Sequence, residues 1–112
     1  MSKNVLYTNV RLNTGESLIN GNYRLTMQVD GNLVLYDLED PIWASNTGGL
    51  ATNCYLVLQT DGNLVVYNSD TGAAIWASNT NGKGDGNYVL VLQDDRNLVI
   101  YTDPIWSTGT NI

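Results

Sequence analysis

The chain spells one nonapeptide three times, and this repetition constrains its fold more than any other feature. Gln28-Val29-Asp30-Gly31-Asn32-Leu33-Val34-Leu35-Tyr36 recurs as Gln59-Thr60-Asp61-Gly62-Asn63-Leu64-Val65-Val66-Tyr67 and again as Gln93-Asp94-Asp95-Arg96-Asn97-Leu98-Val99-Ile100-Tyr101. The pattern Gln-x-Asp-x-Asn-x-Val-x-Tyr is intact in every copy. A second signature follows each one: Ile42-Trp43-Ala44-Ser45-Asn46-Thr47, then Ile75-Trp76-Ala77-Ser78-Asn79-Thr80, then a form read as shortened, Ile105-Trp106-Ser107-Thr108. Repetition at this period means that one small unit is stacked on copies of itself, because a single unit cannot bury its own apolar face.

The local signals are β throughout. Apolar runs precede the copies, at Tyr23 to Met27, Tyr55 to Leu58 and Tyr88 to Leu92, rich in residues that suit a pleated surface. Asp30-Gly31-Asn32 and Asp61-Gly62-Asn63 read as tight hairpin turns, since Gly and Asn both tolerate positive φ; the third turn must accept Arg96 instead. Leu33 to Tyr36 and its equivalents form the return strand, and the Ile-Trp segment forms another. Glycine-rich stretches such as Asn81-Gly82-Lys83-Gly84-Asp85-Gly86-Asn87 join the units. No window carries a sustained helical period. Each repeat is thus expected to hold three or four short strands. Three such sheets around a common axis would share one core, with Trp43, Trp76 and Trp106 at its centre and Leu33, Leu64 and Leu98 also inside.

Composition narrows the function. The chain has 112 residues, one domain over 1–112, and 43% of them are hydrophobic, enough to fill a core. Its formal net charge is −6, and its five basic residues, Lys3, Arg11, Arg24, Lys83 and Arg96, are scattered. Neither nucleic acid nor an anionic membrane surface suits that balance, since both need clustered cations. No apolar stretch is long enough to span a bilayer, and Met1-Ser2-Lys3-Asn4 lacks the apolar run of a secretory signal. The expectation is a cytoplasmic protein, or a secreted one whose signal has been removed. Cys54 is the lone cysteine, so an intrachain disulfide is impossible and a small buried side chain is expected.

Catalysis lacks its usual parts. There is no histidine to act as base or metal ligand, and Cys54 has no partner to activate it. A glycosidase needs two carboxylates across one bond, but each repeat offers one motif Asp, and Asp94 beside Asp95 should face the other way. Asp30-Gly31-Asn32 begins like a calcium loop without the later ligands. No enzyme activity, cofactor or metal is expected.

The nonapeptide carries its own chemistry. Gln28, Asp30, Asn32, Val34 and Tyr36 recur at every second residue and share one face of an extended chain. Burying two amides and a carboxylate together in a core is costly unless all are paired. A sugar asks for this mixture: Asp accepts, while Gln, Asn and Tyr both donate and accept, and Val offers an apolar patch to ring C–H groups. An Asp and an Asn on the same hydroxyl fix its direction, which separates an axial from an equatorial group. A polar ladder that merely stabilises hairpins would explain Asp and Asn, but not the repeated Gln and Tyr.

These motifs resemble the bulb-type (snowdrop-agglutinin-like), monocot mannose-binding lectins, and the resemblance runs over nearly the whole chain, including Gly86-Asn87-Tyr88-Val89. It implies a β-prism II fold of three four-stranded antiparallel sheets with pseudo-three-fold symmetry and one mannose pocket per repeat. It further implies that Gln28 bonds the 3-hydroxyl region, Asp30 and Asn32 the axial 2-hydroxyl and Tyr36 the 4-hydroxyl, while Val34 meets ring carbons. The same roles pass to Gln59, Asp61, Asn63, Val65 and Tyr67, and to Gln93, Asp95, Asn97, Val99 and Tyr101. Many plant members join a cysteine in the first motif to one in the following strand region; here Gly31 takes the first place and Cys54 is the orphaned second. The implied partners are mannose and high-mannose glycans or glycoproteins, bound by a homodimer or homotetramer that exchanges its C-terminal strand around Ile105 to Ile112. A protein-interaction module of the same fold is the competing reading.

Overall fold

A computed structural model of the chain describes residues 3–83, 86–102 and 104–112. The Gly84-Asp85 part of the glycine-rich connection, Met1-Ser2, and the side chain of Ile105 lie outside the described residues. Twelve strands are formed among those described: β1 (Val5–Tyr7), β2 (Arg11–Asn13), β3 (Ser17–Asn20), β4 (Tyr23–Met27), β5 (Leu33–Asp37), β6 (Asp40–Ala44), β7 (Cys54–Leu58), β8 (Leu64–Asn68), β9 (Ala74–Ala77), β10 (Val89–Leu92), β11 (Leu98–Tyr101) and β12 (Pro104–Ser107). They build three four-stranded antiparallel sheets, ordered β3-β4-β5-β6, β2-β7-β8-β9 and β1-β10-β11-β12.

The apolar run, the nonapeptide and the Ile-Trp signature supply three consecutive strands of each sheet. The fourth does not come from the repeat. The N-terminal segment visits the sheets in reverse order, placing β1 on β10, β2 on β7 and β3 on β4. Each of its strands buries a single leucine, Leu6, Leu12 or Leu18. These leucines lie opposite Leu90, Leu56 and Leu25, so the segment extends a leucine row that the repeats begin. The expectation of three or four strands per repeat is refined accordingly: three are internal, and the fourth is borrowed.

Every core layer is written in triplicate. Leu25, Leu56 and Leu90, then Met27, Leu58 and Leu92, then Leu33, Leu64 and Leu98, and Leu35, Val66 and Ile100 are all fully buried. Truncating one such leucine to Ala costs about 2–5 kcal/mol. Trp43, Trp76 and Trp106 pack against this cluster and meet edge to face, with ring centroids 5.5–5.9 Å apart, the arrangement that aromatic quadrupoles favour. Cys54, at the start of β7, is buried and unpaired. Burial pushes its thiol pKa up, and the nearby Asp70 carboxylate pushes it further.

One sequence reading is corrected. The third Ile-Trp signature is not shortened. Leu33 N and Leu64 N donate to the hydroxyls of Ser45 and Ser78, both at 3.0 Å, and Leu98 N donates to Thr108 Oγ1 at 3.2 Å. Asn46 and Asn79 have φ near 60°, and Gly109 takes the same left-handed place at 69°. Thr110 therefore stands where Thr47 and Thr80 stand, and the signature runs its full length with substituted residues. β12 closes its sheet on β11 of the same chain.

Candidate functional site

Each nonapeptide folds as a hairpin whose loop is closed by two backbone bonds. In the first, Gln28 N donates to Asn32 O (2.9 Å) and Gly31 N to Gln28 O (3.1 Å). The second and third turns repeat this through Gln59, Gly62 and Asn63 and through Gln93, Arg96 and Asn97. Only the fourth residue of each turn is left-handed: Gly31 at 88°, Gly62 at 89° and Arg96 at 73°. Such a conformation costs a side-chain-bearing residue about 1–2 kcal/mol. The motif asparagines, also candidates for positive φ, do not use it. Backbone geometry therefore does not account for them, and their side chains do.

Each motif Asn is held by its amide oxygen. Asn32 Oδ1 accepts from Ser45 Oγ and Thr47 N, both at 3.2 Å. Asn63 Oδ1 accepts from Ser78 Oγ and Thr80 N at 3.3 Å. Asn97 Oδ1 accepts from Thr108 Oγ1 at 3.1 Å and Thr110 N at 3.2 Å. The threonines are themselves anchored, Thr47 Oγ1 to Gly31 O (2.7 Å), Thr80 Oγ1 to Gly62 O (2.6 Å) and Thr110 Oγ1 to Arg96 O (2.7 Å). With its oxygen so engaged, each amide presents Nδ2 as a donor. Sequence reading missed these hydroxyls as parts of the site, although the Ser-Asn-Thr run repeats plainly. Its left-handed Asn or Gly is what lets the flanking Ser or Thr and Thr reach the same hairpin.

The other motif residues complete a donor and acceptor set. One oxygen of Asp30, Asp61 and Asp95 accepts the backbone N–H of the motif Asn at 2.9–3.0 Å, which leaves the second carboxylate oxygen as an acceptor. Gln28 Nε2 donates to Tyr36 Oη, and Gln59 Nε2 to Tyr67 Oη, so each pair forms a wall across the hairpin. In the third repeat Tyr101 Oη donates to Gln93 Oε1, while Gln93 Nε2 turns to Asp95 Oδ1 at 2.9 Å. That bond, and the one from Asn97 N, hold the Asp95 carboxyl below its usual range. Val34, Val65 and Val99 lie on the same strand face and are at most 3% exposed. The aspartates are exposed, and Gln, Asn and Tyr are half-buried. The result, three times over, is a shallow site with a carboxyl acceptor, an aligned amide donor, a phenol and an apolar floor.

The surroundings differ. Arg24 stacks on the Tyr36 ring, 4.3 Å from its centroid. In the second sheet Tyr55 packs on Tyr67, and Arg11 lies 3.9 Å over Tyr55. In the third, Val89 is the residue opposite Tyr101. In the first site Gly48 comes so close to the motif that a Cβ there would stand 3.3 Å from Asp30 Oδ2. Among the described residues, no three His, Cys, Asp or Glu converge as metal ligands.

No protein-family model matches the chain. The mannose-specific lectin of Aloe arborescens is 52% identical over 107 residues, which cover 96% of this chain and 97% of that protein. The chain belongs to the monocot mannose-binding lectins. Among solved members of this lectin family, monomeric mannose-binding lectins from Gastrodia elata superpose with a TM-score of 0.92 at 50% identity, covering 98% of this chain and 100% of theirs. The mannose-specific agglutinin of snowdrop (Galanthus nivalis), solved with methyl-α-D-mannoside, gives 0.85 at 56% identity, covering 98% and 99%.

Proposed function

We propose that this chain is a mannose-specific, non-enzymatic lectin that binds one mannose at each of its three nonapeptide sites. The observation that carries the reading is the thrice-built pair of Asp carboxylate and inward-locked Asn amide. One accepts and the other donates, so together they can seize a single hydroxyl and set its direction. In the orientation that the family resemblance implies, that hydroxyl is the axial 2-hydroxyl. The Gln–Tyr wall then meets the 3- and 4-hydroxyls, and the buried Val meets the ring carbons.

Each site is shallow and makes few contacts, so a dissociation constant on the order of millimolar is expected for free mannose. Useful strength comes from joining sites. Several pockets on one rigid body raise avidity on dense high-mannose surfaces by about 10²–10⁴. A homodimer or homotetramer made by exchanging the C-terminal strand would preserve every β11–β12 pairing and supply it from a second chain. Sedimentation of the whole chain decides this, with agglutination of mannan-coated particles as the functional readout: a monomer that fails to agglutinate would exclude strand exchange. A glycan array tests the function itself. Selective retention of high-mannose glycans supports the lectin, and a blank array supports a protein-interaction module of the same fold.

A further inference from the structure

We propose that Arg96 is a positioning residue for the third sugar site, and that its ion pair with Asp37 makes this site sensitive to salt while the other two are not. The inference rests on the mannose-binding reading above. In the first two sites the turn apex is a glycine with no room beside it: a Cβ on Gly31 would come within 2.8 Å of Ala51 O, and one on Gly62 within 2.9 Å of the Tyr88 ring. The threonines beneath those apices, Thr47 and Thr80, are buried. Close packing of the apex, together with hydrogen bonds from Thr47 and Thr80 and from Gly49 N to Asp30 O (2.7 Å) and Gly82 N to Asp61 O (2.8 Å), fixes both sites with no charged side chain.

The third site has no following repeat to lean on. Arg96 instead sends its side chain two ways. Nη1 reaches Asp37 Oδ2 at 3.0 Å, at the end of the first repeat's β5, and Nε donates to Thr110 O at 2.9 Å. Thr110 N is one of the two donors that lock the Asn97 amide, and Ile112 N bonds Asp95 O at 2.9 Å. The segment that orients both Asn97 and Asp95 is bonded to its own hairpin, and the Arg96 guanidinium links it further to Asp37 of the first repeat. Its side chain and that of Asp37 are about a quarter exposed, 24% and 26%, so counter-ions can reach the pair. Arg96 also tolerates a left-handed backbone to hold this place.

The test is a nitrogen-15 NMR titration with methyl α-mannoside, following the side-chain amides of Asn32, Asn63 and Asn97 as one reporter per site. Raising salt from low to molar concentration should weaken the Asn97 site about three- to tenfold and leave the others within about twofold. Asp37→Asn should produce the same weakening at low salt and abolish the salt response. Arg96→Gly relaxes the backbone, so a purely structural role predicts an unchanged or tighter third site; positioning predicts a weaker one even if Tm rises. Equal salt responses at all three amides, or an Asn97 site untouched by Asp37→Asn, would overturn the proposal. Silence at all three amides would sink the lectin reading instead, and the two failures are distinguishable.

Discussion

The first two nonapeptide sites and the third share a floor and differ in what holds it up. Gly31 and Gly62 let the hairpin apex press onto Ala51 and Tyr88, and the threonines below are at most 5% exposed. In the third site the apex carries Arg96, and Thr110 is only half-buried. A close backbone approach has become a set of directed bonds to Asp37 and Thr110. Repeats that must present the same four polar groups can therefore reach them through different supports. The Asp and Asn geometry is the common property, and the means of fixing it is local.

The largest effect that tests this contrast comes from adding a methyl group at each of the two glycine apices. Gly31→Ala forces a positive φ on a residue with a Cβ and drives it into a backbone carbonyl, so it should cost about 2–4 kcal/mol. The melting temperature should then fall by roughly 10–20 °C. Gly62→Ala should cost less, because the atoms it meets are the far end of the Tyr88 ring. Arg96→Gly should stay within about 1 kcal/mol of the parent, since relief of strain offsets the lost pair. Equal losses at the three positions, read by thermal unfolding, would erase the distinction.

A smaller effect probes the hydroxyls beneath the asparagines. Thr80→Val leaves Gly62 O without its buried donor and should cost about 1–3 kcal/mol. Mannoside binding reported by Asn63 should weaken roughly fivefold while Asn32 and Asn97 report no change. The same exchange at Thr110 should cost less, because water can replace the lost hydroxyl at a half-exposed site. An Asn63 response as strong as in the parent would remove Thr80 from the site.

The smallest effect is one of pH. The Gln93 amide and the Asn97 N–H hold the Asp95 carboxyl below its usual range. A depressed carboxylate pKa means the charged acceptor is present at neutral pH, persists as pH falls past the ordinary Asp value, and is lost only through its own lower pKa. The Asn97 response to mannoside should survive correspondingly acid buffer. Gln93→Leu should shift its loss to higher pH, and an unmoved profile would mean that Gln93 does not hold Asp95.

How far the sequence could be read follows the same line. Strands β4, β5, β7, β8, β10 and β11 fall where the apolar runs and nonapeptides place them, because each carries several apolar residues in one register. The N-terminal strands escaped because each buries one leucine in three or four residues, too short a window for any period to show. Only the even spacing of Leu6, Leu12 and Leu18 betrays them. The convergence of Gln with Tyr follows from the two-residue period and a tight turn. The locking of Asn by Ser45 and Thr47, or by Thr108 and Thr110, depends on a left-handed residue between them and on contact across the sheet. The Arg96–Asp37 pair joins the two ends of the repeat array, and nothing in either neighbourhood announces the other.

The central claim is that three equivalent Asp–Asn pairs recognise the axial 2-hydroxyl of mannose. The most direct measurement is a parallel titration with methyl α-mannoside and methyl α-glucoside, which differ only in the direction of that hydroxyl, followed at the side-chain amides of Asn32, Asn63 and Asn97. The account predicts saturable shifts of all three amides with the mannoside and none with the glucoside over the same concentrations. Equal shifts with both sugars, or saturation with neither, would contradict it.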